Sequence, residues 1–167
     1  MIALHITRLG PFVGKLLSSD CFDSFLLEEG SVSMAATLTV DGHLNRAFYT
    51  EETWNDPAVR AYDMAPWGTL RPLFHEFIKG KQAPASFRFV LHLRPDRIPA
   101  LLTQGGATIA PAEIRALLIT VRYDGEKATV VTGVSTHAFT MDKSADAVWD
   151  KAVQKFFSAR GIAYETM

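Results

Sequence analysis

Residues 116–134, Ala116-Leu117-Leu118-Ile119-Thr120-Val121-Arg122-Tyr123-Asp124-Gly125-Glu126-Lys127-Ala128-Thr129-Val130-Val131-Thr132-Gly133-Val134, decide the fold class. Leu117, Ile119 and Val121 recur at the period of two that a half-buried strand requires. Asp124-Gly125 supplies the positive φ angles of a tight turn. Closing it as a two-residue turn opposes Val121 with Ala128, Ile119 with Val130 and Leu117 with Thr132, so one face of an antiparallel hairpin is apolar.

Working outward, the same period marks residues 85–94, where Phe87, Phe89, Leu91 and Leu93 alternate with Ser86, Arg88, His92 and Arg94. This is a strand with one wet face. Asp96 caps a short helix carrying Ile98, Leu101 and Leu102, which stops at Gly105-Gly106; Pro99 is tolerated in its first turn. Upstream, Leu70, Leu73, Phe74, Phe77 and Ile78 keep helical spacing after Thr69 as cap. Residues 50–66 read as a loop with one helical turn, interrupted at Asn55-Asp56-Pro57 and Ala65-Pro66. Val32, Met34, Ala36, Leu38 and Val40 alternate along one strand, and Asp41-Gly42 then reads as a type I′ turn pairing Val40 with His43 and Thr39 with Leu44. The chain opens with a strand at 2–7 and a helix after Gly10-Pro11 that buries Phe12, Val13, Leu16 and Leu17. It closes with a helix capped at Asp142 or Ser144, lined by Ala145, Val148, Trp149, Ala152, Phe156 and Ala159, and ended by Gly161. The expected fold is α+β: a largely antiparallel sheet, two strand-helix-hairpin units, a central amphipathic helix and a C-terminal helix.

A chain of 167 residues is one domain's worth. With 48% apolar and 21% charged residues it has a globular balance. Cys21 is the sole cysteine, so no intramolecular disulfide forms and a reducing compartment is expected. Neither a signal peptide nor a membrane span is legible, which leaves the cytoplasm as the expected location. The net charge of −1 hides an asymmetry. Residues 20–66 hold nine acids against Arg46 and Arg60, whereas residues 70–97 hold Arg71, Lys79, Lys81, Arg88, Arg94 and Arg97 against Glu76 and Asp96.

Familiar catalytic patterns fail at named residues. His75-Glu76 begins a zinc-protease signature, but Lys79 stands where the second ligand belongs. Ser135 lacks the second flanking glycine of a nucleophile elbow, because His137 occupies that place. Gly80-Lys81 has neither the earlier glycine nor the following Ser or Thr of a phosphate loop. The histidines His5, His43, His75, His92 and His137 are scattered, and no metal or cofactor is implied. Glu28-Glu29 and Glu51-Glu52 would point to opposite strand faces, and Trp54, Trp67 and Trp149 suit core or loop anchoring better than a stacking platform.

What remains is Arg88, His92 and Arg94, projecting together from one strand face near Lys79 and Lys81 in sequence. Such donors hold a phosphate, a nucleic-acid backbone or an acidic protein surface, and the acidic segment of a second copy would make a homo-oligomer. Alternatively, the charges protect an exposed sheet edge from pairing.

Two resemblances add to this reading. Strand, helix and hairpin occur twice, about 2–49 and 87–140, an order that resembles the half-domain of DNA processivity clamps and implies an internal duplication and nucleic-acid association. From Met1-Ile2-Ala3-Leu4 through Thr39-Val40-Asp41-Gly42, Phe77-Ile78-Lys79-Gly80-Lys81 and Met141-Asp142-Lys143-Ser144 to Gly161-Ile162-Ala163-Tyr164, the chain resembles a family of uncharacterised proteins from anaerobic gut Firmicutes. That resemblance implies a bacterial, cytoplasmic origin and no activity. The functional expectation is a non-enzymatic binding module for an anionic partner. The competing expectation is an enzyme using His75 and Glu76, or His92, as acid–base groups.

Overall fold

The hairpin that decides the fold class lies at the middle of the sheet in the computed structural model, which describes all 167 residues. Strand β6 (Ile114–Tyr123) pairs antiparallel with β7 (Ala128–Thr136). The register is Val121 to Val130, Ile119 to Thr132 and Leu117 to Val134, two residues from the expected one. The turn holds four residues rather than two, because the Asp124 carboxylate accepts hydrogen bonds from the backbone N–H of Glu126 (2.9 Å) and Lys127 (2.8 Å). A slip of two leaves every side chain on its expected face, since the strand period is two.

Around this hairpin the chain lays β1 (Ala3–Ile6), β2 (Phe25–Ser33), β3 (Thr37–Asp41), β4 (Ala65–Pro66), β5 (Ser86–Leu93) and β8 (Tyr164–Thr166). The strand order is β3-β2-β5-β6-β7-β1-β8, with β4 pairing the start of β2, and every pairing is antiparallel. Five helices complete the fold: α1 (Leu9–Leu17), the single turn α2 (Glu51–Trp54), α3 (Trp67–Ile78), α4 (Ile98–Gly105) and α5 (Ser144–Ala159). The α+β class with an antiparallel sheet and a C-terminal helix is as expected.

The second hairpin lies elsewhere than the sequence suggests. The chain reverses at Met34-Ala35-Ala36, and Leu38 and Val40 return along β2 opposite Val32 and Gly30. No strand follows Asp41-Gly42 toward Phe48 and Tyr49; a 3-10 turn at Arg46–Phe48 stands there instead. Gly42 is required for close approach: a Cβ would overlap the Leu27 carbonyl, while the Gly42 N–H donates to the Glu28 carbonyl at 2.8 Å. The two strand-helix-hairpin units are present, β1-α1-β2-β3 and β5-α4-β6-β7, but they pair differently. Strand β5 lies beside its own hairpin, whereas β1 lies against β7 at the far side.

One apolar face organises the core. Leu4, Ile6, Leu27, Val32, Phe87, Phe89, Leu91, Ile119, Val121 and Val130 join the buried stripes of α1, α3, α4 and α5 in one hydrophobic cluster. The four longer helices therefore cover a single side of the sheet. Trp67 anchors α3 by donating its indole N–H to the Leu16 carbonyl at 3.0 Å, and its ring packs on Phe74 and Phe89. Trp149 of α5 donates to the Leu118 carbonyl at 2.8 Å, where the β5–β6 ladder ends at the His92–Leu118 pair. α3 begins at Trp67 behind Pro66, so Thr69 lies inside its first turn instead of capping it.

Candidate anion-binding face

The opposite face of the sheet carries the side chains that alternate with the core: Ser31 of β2, Arg88, Val90 and His92 of β5, Leu118, Thr120 and Arg122 of β6, and Thr129 and Val131 of β7, so apolar residues are interleaved with the polar ones. β5 is an interior strand, hydrogen-bonded to β2 and β6. Edge protection therefore does not account for its cations.

The acidic and basic halves of the sequence meet here. Arg88 forms an ion pair with Glu29, and the His92 imidazole lies 2.6 Å (Nε2 to Oε2) from Glu28. A β-bulge at Glu28 makes both contacts possible, since the register shifts between Leu27 and Glu29. An extra residue in β2 turns both adjacent carboxylates toward β5, where simple alternation sends them to opposite faces. The charges that motivate pairing between copies are thus matched within one chain. Arg94 serves the end of the strand: it donates to the Asp23 carbonyl at 3.1 Å and lies over the Tyr62 ring at 5.7 Å. Asp23 itself is held in a fork by Arg71, at 2.8 and 3.1 Å, which raises the affinity of that guanidinium for its proton.

Lys79 caps the end of α3 on the helical side and pairs with Glu76 at 3.7 Å; Lys81 is exposed in the connection to β5. Neither lies on the strand that carries Arg88. His75 and Glu76 stand exposed on the outer side of α3. No three metal-ligating side chains gather anywhere in the chain.

Arg122 is the residue that sequence reasoning missed. It stands directly opposite Arg88 across β5–β6, exposed and without an ion pair, and Ser31 and Thr129 flank the two in the same cross-strand row. Its outward parity was legible in the alternation of residues 117–123, but its neighbour was not. Two guanidiniums side by side repel, since like charges directly opposite destabilise a sheet by roughly 0.2–1 kcal/mol. An anion lying across the row removes that repulsion and engages their planar donor forks.

The molecule is a two-layer α+β protein with helices on one side of an antiparallel sheet and a hydroxyl- and guanidinium-bearing face on the other. By sequence it belongs to the family of unknown function DUF5721, whose model matches residues 15–165. No curated protein and no solved structure matches the chain. No helix is long and apolar enough to cross a membrane.

Proposed function

We propose that this chain is a non-enzymatic binding module of the bacterial cytoplasm that receives an extended polyanion on the sheet face opposite its four longer helices. The observation that carries the reading is the Arg88–Arg122 opposition, in which only Arg88 has a carboxylate partner. A broad sheet face suits a partner laid across several strands better than a small substrate, which binds in concave pockets. The buried Cys21 thiol and the lack of any disulfide favour the reducing compartment.

The test compares binding of an oligodeoxythymidylate and of polyglutamate at about 50 and 500 mM salt, because a phosphate contact contributes a salt slope of about 1. Affinity is expected to fall with salt, and Arg122→Gln is expected to weaken binding and to lower the slope. A protein that binds neither polymer at low salt, or an Arg122→Gln variant indistinguishable from the parent, overturns the reading.

A further inference from the structure

On the helical side, α4 and α5 run antiparallel and pack tightly at Gly105, where a Cβ would overlap Val148. Toward the other ends, at Leu101 and Ala152 and then Arg97 and Phe156, an apolar cavity of about 340 Å³ opens, floored by Phe25, Leu93 and Ile119. It adjoins an outer groove of about 530 Å³ along the same two helices, sharing Leu101, Ala152, Phe156 and Arg160. Leu93, Leu101 and Phe156 are half-buried although they pack against the core, so the fold leaves apolar surface facing empty space. A close-packed interior leaves few voids of that size, and apolar ones stay dry and accept apolar ligands.

The charges around it have one sign. Arg97 and Arg160 border the cavity, and Lys151, Lys155 and Arg160 border the groove; none of the four forms an ion pair. No aspartate or glutamate lines either space. Arg160 lies over the Phe156 ring at 5.5 Å, which places a cation where apolar wall gives way to solvent. We infer that the space between α4 and α5 binds a single-chain amphiphile with an anionic head: the alkyl chain fills the cavity against Leu93, Leu101 and Phe156, and the head meets Arg97 and Arg160. The volume falls at the lower end of the range of small-ligand sites, which suits one alkyl chain.

The experiment uses the full chain and three twelve-carbon probes below their self-association concentrations: dodecanoate, dodecanol and dodecyltrimethylammonium. Binding is read by calorimetry and by the change in tryptophan emission, to which Trp149 at the cavity wall contributes alongside Trp54 and Trp67 elsewhere in the fold. Dodecanoate is expected to bind saturably and more tightly than either other probe. The double variant Arg97→Gln/Arg160→Gln changes two exposed residues and is expected to weaken dodecanoate by about tenfold, the scale of a lost charge-assisted contact, while leaving dodecanol unchanged. Ala152→Leu, which fills the cavity from α5, is expected to weaken dodecanoate and dodecanol together. The inference is overturned if dodecanoate does not bind, if the arginine variant binds it as tightly as the parent, or if the cationic probe binds equally well. Arg88 and Arg122 take no part in this site, so the outcome is independent of the sheet face.

Discussion

Arg88 and Arg122 occupy directly opposed positions on adjacent antiparallel strands, and Glu29 neutralises only the first of them. Removing the second charge therefore has opposite effects on folding and on binding. Arg122→Gln is expected to stabilise the free protein by roughly 0.2–1 kcal/mol at low salt, and the gain should shrink as salt screens the pair. Urea denaturation at two salt concentrations measures it. A variant less stable than the parent at low salt would show that Arg122 supports the fold instead of opposing it.

Gly42 offers a sharper test of the fold. A Cβ there meets the Leu27 carbonyl oxygen, a backbone atom that cannot turn aside. Gly42→Ala is expected to cost several kcal/mol, on the order of 3 or more, with loss of the cooperative transition as the extreme outcome. Thr39→Ser, three residues away, exposed on β3 and without a side-chain hydrogen bond, is the control and should stay within about 0.5 kcal/mol. Near-parental stability of Gly42→Ala would contradict the approach of this segment to β2.

Asp142 ties the start of α5 to the loop before β6. Its carboxylate accepts from the Ser144 backbone N–H and the Thr108 hydroxyl, each at 2.8 Å, and contact with Ser144 and Thr108 holds its pKa below the ordinary 3.8. A carboxyl whose folded pKa is depressed contributes stability above its unfolded value and loses it as pH falls through the folded value. Asp41 and Asp124 are shifted the same way by backbone hydrogen bonds. Denaturation midpoints should therefore drop below about pH 4, the ordinary carboxylate range. Asp142→Asn should be less stable at neutral pH and show a shallower acid dependence; an unchanged profile would remove Asp142 from this role.

Cys21 is buried, and desolvation pushes its thiol pKa up. The thiolate is the reactive species, so the native protein should react slowly with an aromatic disulfide reagent at about pH 8, and the urea-unfolded chain promptly. Equal rates would mean that the segment after α1 opens freely.

The elements whose periodicity continues through their contacts were legible from the residues alone. The helical spacing from Leu70 to Ile78, the stripe through Val148 and Trp149, and the alternation from Phe87 to Leu93 each announce an element and its buried side, because burial repeats at the element's own period. Turns were read less well for a local reason. Asp-Gly satisfies several backbone geometries: at 124–125 it sits in a four-residue turn built by the Asp124 side chain, and at 41–42 in no hairpin turn. The Glu28 bulge leaves no trace in composition, yet it changes which face two carboxylates share.

By itself, then, the sequence determined the class of fold, the parity of β5, β6 and β7, and the outward placing of the Arg88 and His92 side chains on one strand. These depend on neighbours a few residues apart. Tertiary structure alone decided that β5 lies inside the sheet, that Glu28 and Glu29 answer His92 and Arg88, that Arg122 stands beside Arg88, and that α4 and α5 enclose a cavity ringed by Arg97 and Arg160. The reason is physical: hydrophobic burial specifies which face of a strand turns inward, but it is indifferent to which other apolar strand lies alongside. Neighbours are chosen by the closing of the whole sheet over one core.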